Sequence, residues 1–103
     1  ANSRTQTMPP NDMPLVLVID DDPMVRFLVN ESLTSKGFHL LEAETGEAGL
    51  ALLESERPDI VLLDVMMPGI DGFTACSRLR VMPNGQHVPV LMMTGLDDVA
   101  SIQ

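Results

Sequence analysis

Two short runs limit the folds open to this chain: LVLVI (Leu15–Ile19) and IVLLD (Ile60–Asp64). A strand with one wet face alternates apolar and polar residues. These runs do not alternate, so both of their faces must be covered. Strands buried in this way belong to parallel sheets with helices on either side. Each run also ends on acid. The first opens into Asp20, Asp21 and Asp22, and the second closes on Asp64. Carboxylates set at the carboxyl end of a buried strand carry an electrostatic cost that core packing alone does not explain.

The segments between the runs read as helices, further strands and turns. Asp22 suits an N-cap and Pro23 a first helical residue. Met24, Val25, Leu28, Val29 and Leu33 then recur at helical spacing, with Lys36 in the last turn and Gly37 as the stop. FHLLEAE (Phe38–Glu44) is a shorter, mixed strand. Thr45 caps a second helix striped by Ala48, Leu50 and Leu53, and Pro58 forbids its continuation. VMMPGIDG is a loop, with Asp71 and Gly72 as turn and cap residues. Phe73, Cys76 and Leu79 are expected to form the inner face of a third helix. VPVLMM (Val88–Met93) is a fourth strand, stopped by Thr94 and Gly95, and LDDVASIQ has the look of a further helix. The order β-α-β-α-β-α-β-(α) predicts a doubly wound parallel sheet with right-handed crossovers. Residues 1–14 are polar and proline-broken, and read as a leader or linker; residues 15–103 form one domain.

Charge narrows the function. The 103 residues carry 15 acids against 6 lysines and arginines, a net charge of −9. That argues against direct binding of nucleic acid or an anionic membrane, and suits cations or basic partner surfaces. No apolar run approaches the ~20 residues needed to span a bilayer. Cys76 is the single cysteine and cannot form an internal disulfide; it reads as small apolar filler. A cytoplasmic location is expected.

Ligands of such sheets sit beyond the carboxyl ends of the strands, at a topological switch point. Asp20, Asp21, Asp64 and Thr94 all fall at such ends. Taken singly, each acid is a solvated loop residue or a turn cap; the conjunction points to a site. At ~4 Å and an effective dielectric near 20, a carboxylate pair repels by about 4 kcal/mol. A divalent cation relieves that repulsion, and hard oxygen donors suit Mg²⁺. Asp22 has a sufficient role as a cap. His39 and His87 are expected to face solvent.

VLVIDDDPMVR, PDIVLLDVMMPGIDGF and VPVLMMTG together resemble the receiver domain of two-component response regulators. The resemblance runs from Leu15 to Gln103 and implies the flavodoxin-like fold, strand order 2-1-3-4. It implies that Asp64 accepts a phosphoryl group from a sensor histidine kinase, forming an acyl phosphate. Asp21 and Asp64 resemble direct Mg²⁺ ligands, Asp20 a ligand through water, and Met66 the donor of a backbone carbonyl. The N–H groups of Met66 and Gly95 would hold phosphoryl oxygens, and Thr94 resembles the switch hydroxyl. The domain would then be a switch that controls an output domain, and not an enzyme beyond slow self-dephosphorylation.

The family pattern continues with a fifth strand bearing a lysine, and a fifth helix, which are expected to be missing from this chain. Its one lysine is Lys36. Without a fifth strand, VPVLMM becomes an open apolar edge, so self-association through the fourth strand is expected. VMPNGQHVPVLMMTGLDD is similar to receivers that precede cyclic-dinucleotide-synthesising domains. Two other functions compete. One is a Mg²⁺-dependent phosphohydrolase resembling the haloacid-dehalogenase group, using Asp20 and Asp22. The other is an interaction module without phosphotransfer.

Overall fold

The computed structural model describes residues 13–93 and the backbone of 101–102. Strands β1 (Leu15–Ile19), β2 (His39–Ala43), β3 (Ile60–Asp64) and β4 (Val90–Met93) alternate with helices α1 (Pro23–Thr34), α2 (Gly46–Glu56) and α3 (Gly72–Arg80). A 3₁₀ turn at Pro83–Gly85 precedes β4. With β5 at Ser101–Ile102, the sheet order is β2-β1-β3-β4-β5, and β1 to β4 are parallel. This is the flavodoxin-like 2-1-3-4 order.

The fifth strand in that order, β5 (Ser101–Ile102), departs from expectation. It runs antiparallel to β4, pairing Ile102 with Leu91 and Ser101 with Met92. Two residues read as helical thus lie in a strand, and β4 has a partner along Leu91–Met92 where an open edge was expected. Asp97, Asp98 and the rest of that expected helix lie outside the described residues, as do residues 1–12 of the leader.

The two central strands are buried as their composition demands. Leu17, Ile19, Val61, Leu63, Val90 and Met92 form one layer with Leu53 of α2 and Ala75 and Leu79 of α3. Val16, Val18 and Leu62 face the other way, against Val29 and Leu33 of α1. Helix α1 therefore presents Val25, Val29 and Leu33 inward, while Met24 and Leu28, read as part of the same stripe, are exposed. It ends at Thr34, two residues before Lys36, in a Schellman arrangement. Gly37 takes φ 91°, and the Phe38 N–H returns to the Leu33 carbonyl at 3.1 Å.

Close approach of backbones decides how α2 and α3 sit. A Cβ on Gly49 would drive into the side chain of Ile19, so α2 lies flush on β1. A Cβ on Gly72 would strike the Asp64 carbonyl and stand 2.7 Å from Cα of Val65. The Gly72 N–H donates to the Val65 carbonyl at 2.9 Å. With Gly72, Ala75 and Leu79 turned inward, Phe73 is carried outward and is exposed, contrary to the expected inner face. Cys76 is half-buried against the core. Gly72→Ala is expected to lower unfolding stability by about 1–3 kcal/mol, because backbone cannot yield as a side chain does. Urea denaturation measures this; an unchanged midpoint would show that α3 is not seated on β3.

Candidate functional site

Adjacency of β1 and β3 places their carboxyl ends side by side. The pairing Ile19↔Leu63 brings Asp20, one residue past β1, beside Asp64, the last residue of β3. One oxygen from each of Asp20, Asp21 and Asp64 lies within 4.8 Å of the others. These are the three acids the sequence singled out. Asp22 is not among them: its carboxylate accepts from the Met24 N–H at 2.9 Å and caps α1. Asp22, which a haloacid-dehalogenase-like phosphohydrolase would use beside Asp20, is instead engaged at the start of α1.

Each acid is held differently. The Asp20 N–H donates to the Ala43 carbonyl at 3.0 Å, so β2 still grips it. Its carboxylate accepts from the Asp22 N–H at 2.9 Å, and the residue is 5% exposed. Asp64 is 9% exposed, and its Oδ1 accepts from the Met66 N–H at 3.2 Å. Asp21 stands at the exposed rim. Met66 is itself 74% exposed, and it meets Asp64 through its backbone N–H. His39 and His87 face solvent, and Asp71 caps α3 by accepting from the Thr74 N–H at 2.8 Å. Thr94 and Gly95 lie outside the described residues.

Burial pushes the Asp64 carboxyl up from 3.8 to about 6; the Met66 N–H opposes this, and the negative charge of Asp20 adds to it. Burial also raises Asp20, against the Asp22 N–H and a hydrogen bond with Asp64 that lower it. Two carboxyls are thus held where ionisation is costly. Three hard oxygen donors around one point fit a divalent cation, whose charge reverses that cost.

Reasoning from sequence missed Arg26. Its guanidinium donates to the Asp20 carbonyl at 2.7 Å and to Glu42 Oε1 at 3.2 Å. Glu42 also accepts from Asn30 at 2.8 Å. Arg26 and Asn30 stand four apart on α1, a spacing that places both on one face.

The family described as response regulator receiver domain matches residues 16–103. This chain belongs to that family. Among its relatives, the transcriptional regulatory protein AfsQ1 of Streptomyces coelicolor is 43% identical over 86 residues, covering 84% of this chain and 37% of AfsQ1. The receiver chain thus spans little more than a third of that relative's length. Among solved structures, the receiver domain of sensor histidine kinase PA1611 from Pseudomonas aeruginosa PAO1 has a magnesium ion coordinated in its active-site cleft. It is 26% identical with a TM-score of 0.78, over 82% of this receiver and 69% of that chain. The signal receiver domain of a modulated diguanylate cyclase from Desulfovibrio desulfuricans G20 is 30% identical with a TM-score of 0.73, over 84% and 68%. Receiver domains of this family take phosphoryl groups from sensor histidine kinases. No helix among the described residues is long and apolar enough to cross a membrane.

The raised Asp64 pKa has a sign that can be tested. The fold favours the protonated acid, so its contribution to stability is full below pH 3.8 and is lost as pH rises through about 6. Asp20 adds to the same slope. In metal-free buffer, Asp64→Asn is expected to flatten the fall in melting temperature between pH 4 and pH 7. At pH 8 it should melt ~5 °C higher, the shift of about 1 kcal/mol after solvent screening. Thermal melts across pH check this; a slope identical to the parent chain would remove Asp64 from the effect.

Proposed function

We propose that Asp64 is the phosphoryl acceptor of this receiver. The observation that carries the reading is the convergence of Asp20, Asp21 and Asp64, each from a strand end, within 4.8 Å. The Met66 N–H holds Oδ1 of Asp64, so Oδ2 is the oxygen assigned to attack. That oxygen bonds to phosphorus as the P–N bond to the donor histidine breaks, and the imidazole keeps the electron pair. The product is an acyl phosphate, which water later cleaves. Asp21, Asp64 and the Met66 carbonyl would hold Mg²⁺ directly, and Asp20 through water. When bound, the ion neutralises the acids and the charge that spreads over the transferring phosphoryl oxygens.

The chain's own groups do the rest. Burial keeps Asp64 out of bulk water, and the Asp22 and Met66 N–H groups aim two of the carboxylates. Thr94 follows directly on Met93, which pairs with Asp64 across the sheet. We assign its hydroxyl, and the Gly95 N–H, to the phosphoryl oxygens of the product. A group carrying −1.5 to −2 charges then biases a two-state surface. The chain acts as a switch in the cytoplasm, its partner a sensor histidine kinase. The output is set by what the receiver is joined to: AfsQ1 is a transcriptional regulator, and the Desulfovibrio relative belongs to a diguanylate cyclase.

Acetyl phosphate with Mg²⁺ is expected to add one phosphoryl group, seen as a gain of about 80 Da by intact mass. Asp64→Asn should abolish the gain. Mg²⁺ at ~100 times its Kd should stabilise the chain by about 2.7 kcal/mol. A chain that neither gains mass nor melts higher in Mg²⁺ would be an interaction module instead.

A further inference from the structure

We infer that Arg26 is a positioning residue for the acidic pocket, holding the Asp20–Asp21 peptide in the orientation that lets Asp21 meet Asp64. This rests on the reading of the pocket as a divalent-cation site. The argument starts from the end of β1. Asp20 is the last residue of that segment gripped by the sheet, through its N–H on Ala43. Its carbonyl belongs to the next peptide unit, the one that supplies the N–H of Asp21. Arg26 donates to that carbonyl at 2.7 Å. Because a peptide is planar, fixing its oxygen fixes the plane, and with it the direction in which Asp21 leaves the strand.

Arg26 is itself fixed. Its side chain is 15% exposed, and a guanidinium at that depth needs partners in its own plane. Glu42 supplies one at 3.2 Å. Glu42 stands on β2 opposite Val18, a residue of the layer facing α1, and Asn30 holds its second oxygen at 2.8 Å. The guanidinium bridges two acceptors, with Nε on Glu42 and Nη1 on the Asp20 carbonyl. A lysine, with a single charged nitrogen, does not reproduce it.

Two roles for Arg26 make opposite predictions. If it acted only through its positive charge, removing it would draw a cation more tightly to the acids. If it positions Asp21, removing it weakens binding despite the gain in negative field. We expect Arg26→Gln and Arg26→Lys each to raise the Mg²⁺ Kd ~10-fold in isothermal titration calorimetry. Both should also move the Asp21 amide signal in metal-free ¹⁵N spectra. Asn30→Ala, which frees one oxygen of Glu42 but leaves Arg26 both of its partners, should lower the melting temperature while costing far less Mg²⁺ affinity and moving the Asp21 amide far less than Arg26→Gln does. Unchanged or tighter Mg²⁺ binding by Arg26→Gln overturns the inference. So does an equal loss of affinity in Asn30→Ala, which would show general loosening. Should Arg26→Gln fail to fold, Arg26→Lys decides alone. A parent chain that binds no Mg²⁺ refutes the pocket reading and this inference together; a parent that binds, with indifferent Arg26 variants, refutes only the inference.

Discussion

The structure depends on keeping three carboxylates together at the edge of a buried parallel sheet. Within 4.8 Å of one another, ionised carboxylates repel by roughly 3 kcal/mol or more per pair at an effective dielectric near 20. Nothing in core packing asks for this. The cost is met because β1 and β3 are neighbours, covered on both faces, and cannot turn their ends apart without losing the register Ile19↔Leu63. The Met66 and Asp22 N–H groups favour the charged carboxylates, but burial outweighs them and leaves both Asp64 and Asp20 raised.

What was legible in the sequence was local. The bounds of β1 and β3 match their apolar runs, and the acids at their ends are the cluster. Asp22, Thr45 and Asp71 all cap helices, because a cap needs only its own residue and the next three. The three-acid site was legible for the same reason: once the strand order is known, strand ends are neighbours.

What was not legible depended on partners distant in sequence. Helical periodicity finds an apolar stripe but not which part of it meets the sheet. Glycines chose, since Gly72 and Gly49 let backbone touch backbone or a strand side chain, and Phe73 was turned to solvent as a result. Met24 and Leu28 were displaced by the inward turn of Val25, Val29 and Leu33. Arg26 was missed because its partners lie six and sixteen residues away. The antiparallel pairing of Ser101–Ile102 on β4 has no periodic signature at two residues long.

The seat of α3 on β3 has a mechanical consequence. Most helices ride on side chains, whose rotamers absorb small displacements of the strand beneath. At Gly72 that cushion is missing, and the first turn of α3 rests on the peptide joining Asp64 to Val65. Packed interiors have little compressibility. A few tenths of an ångström of movement in the backbone of Asp64 therefore has no slack to vanish into. Either the helix travels with it, or the strand does not travel at all.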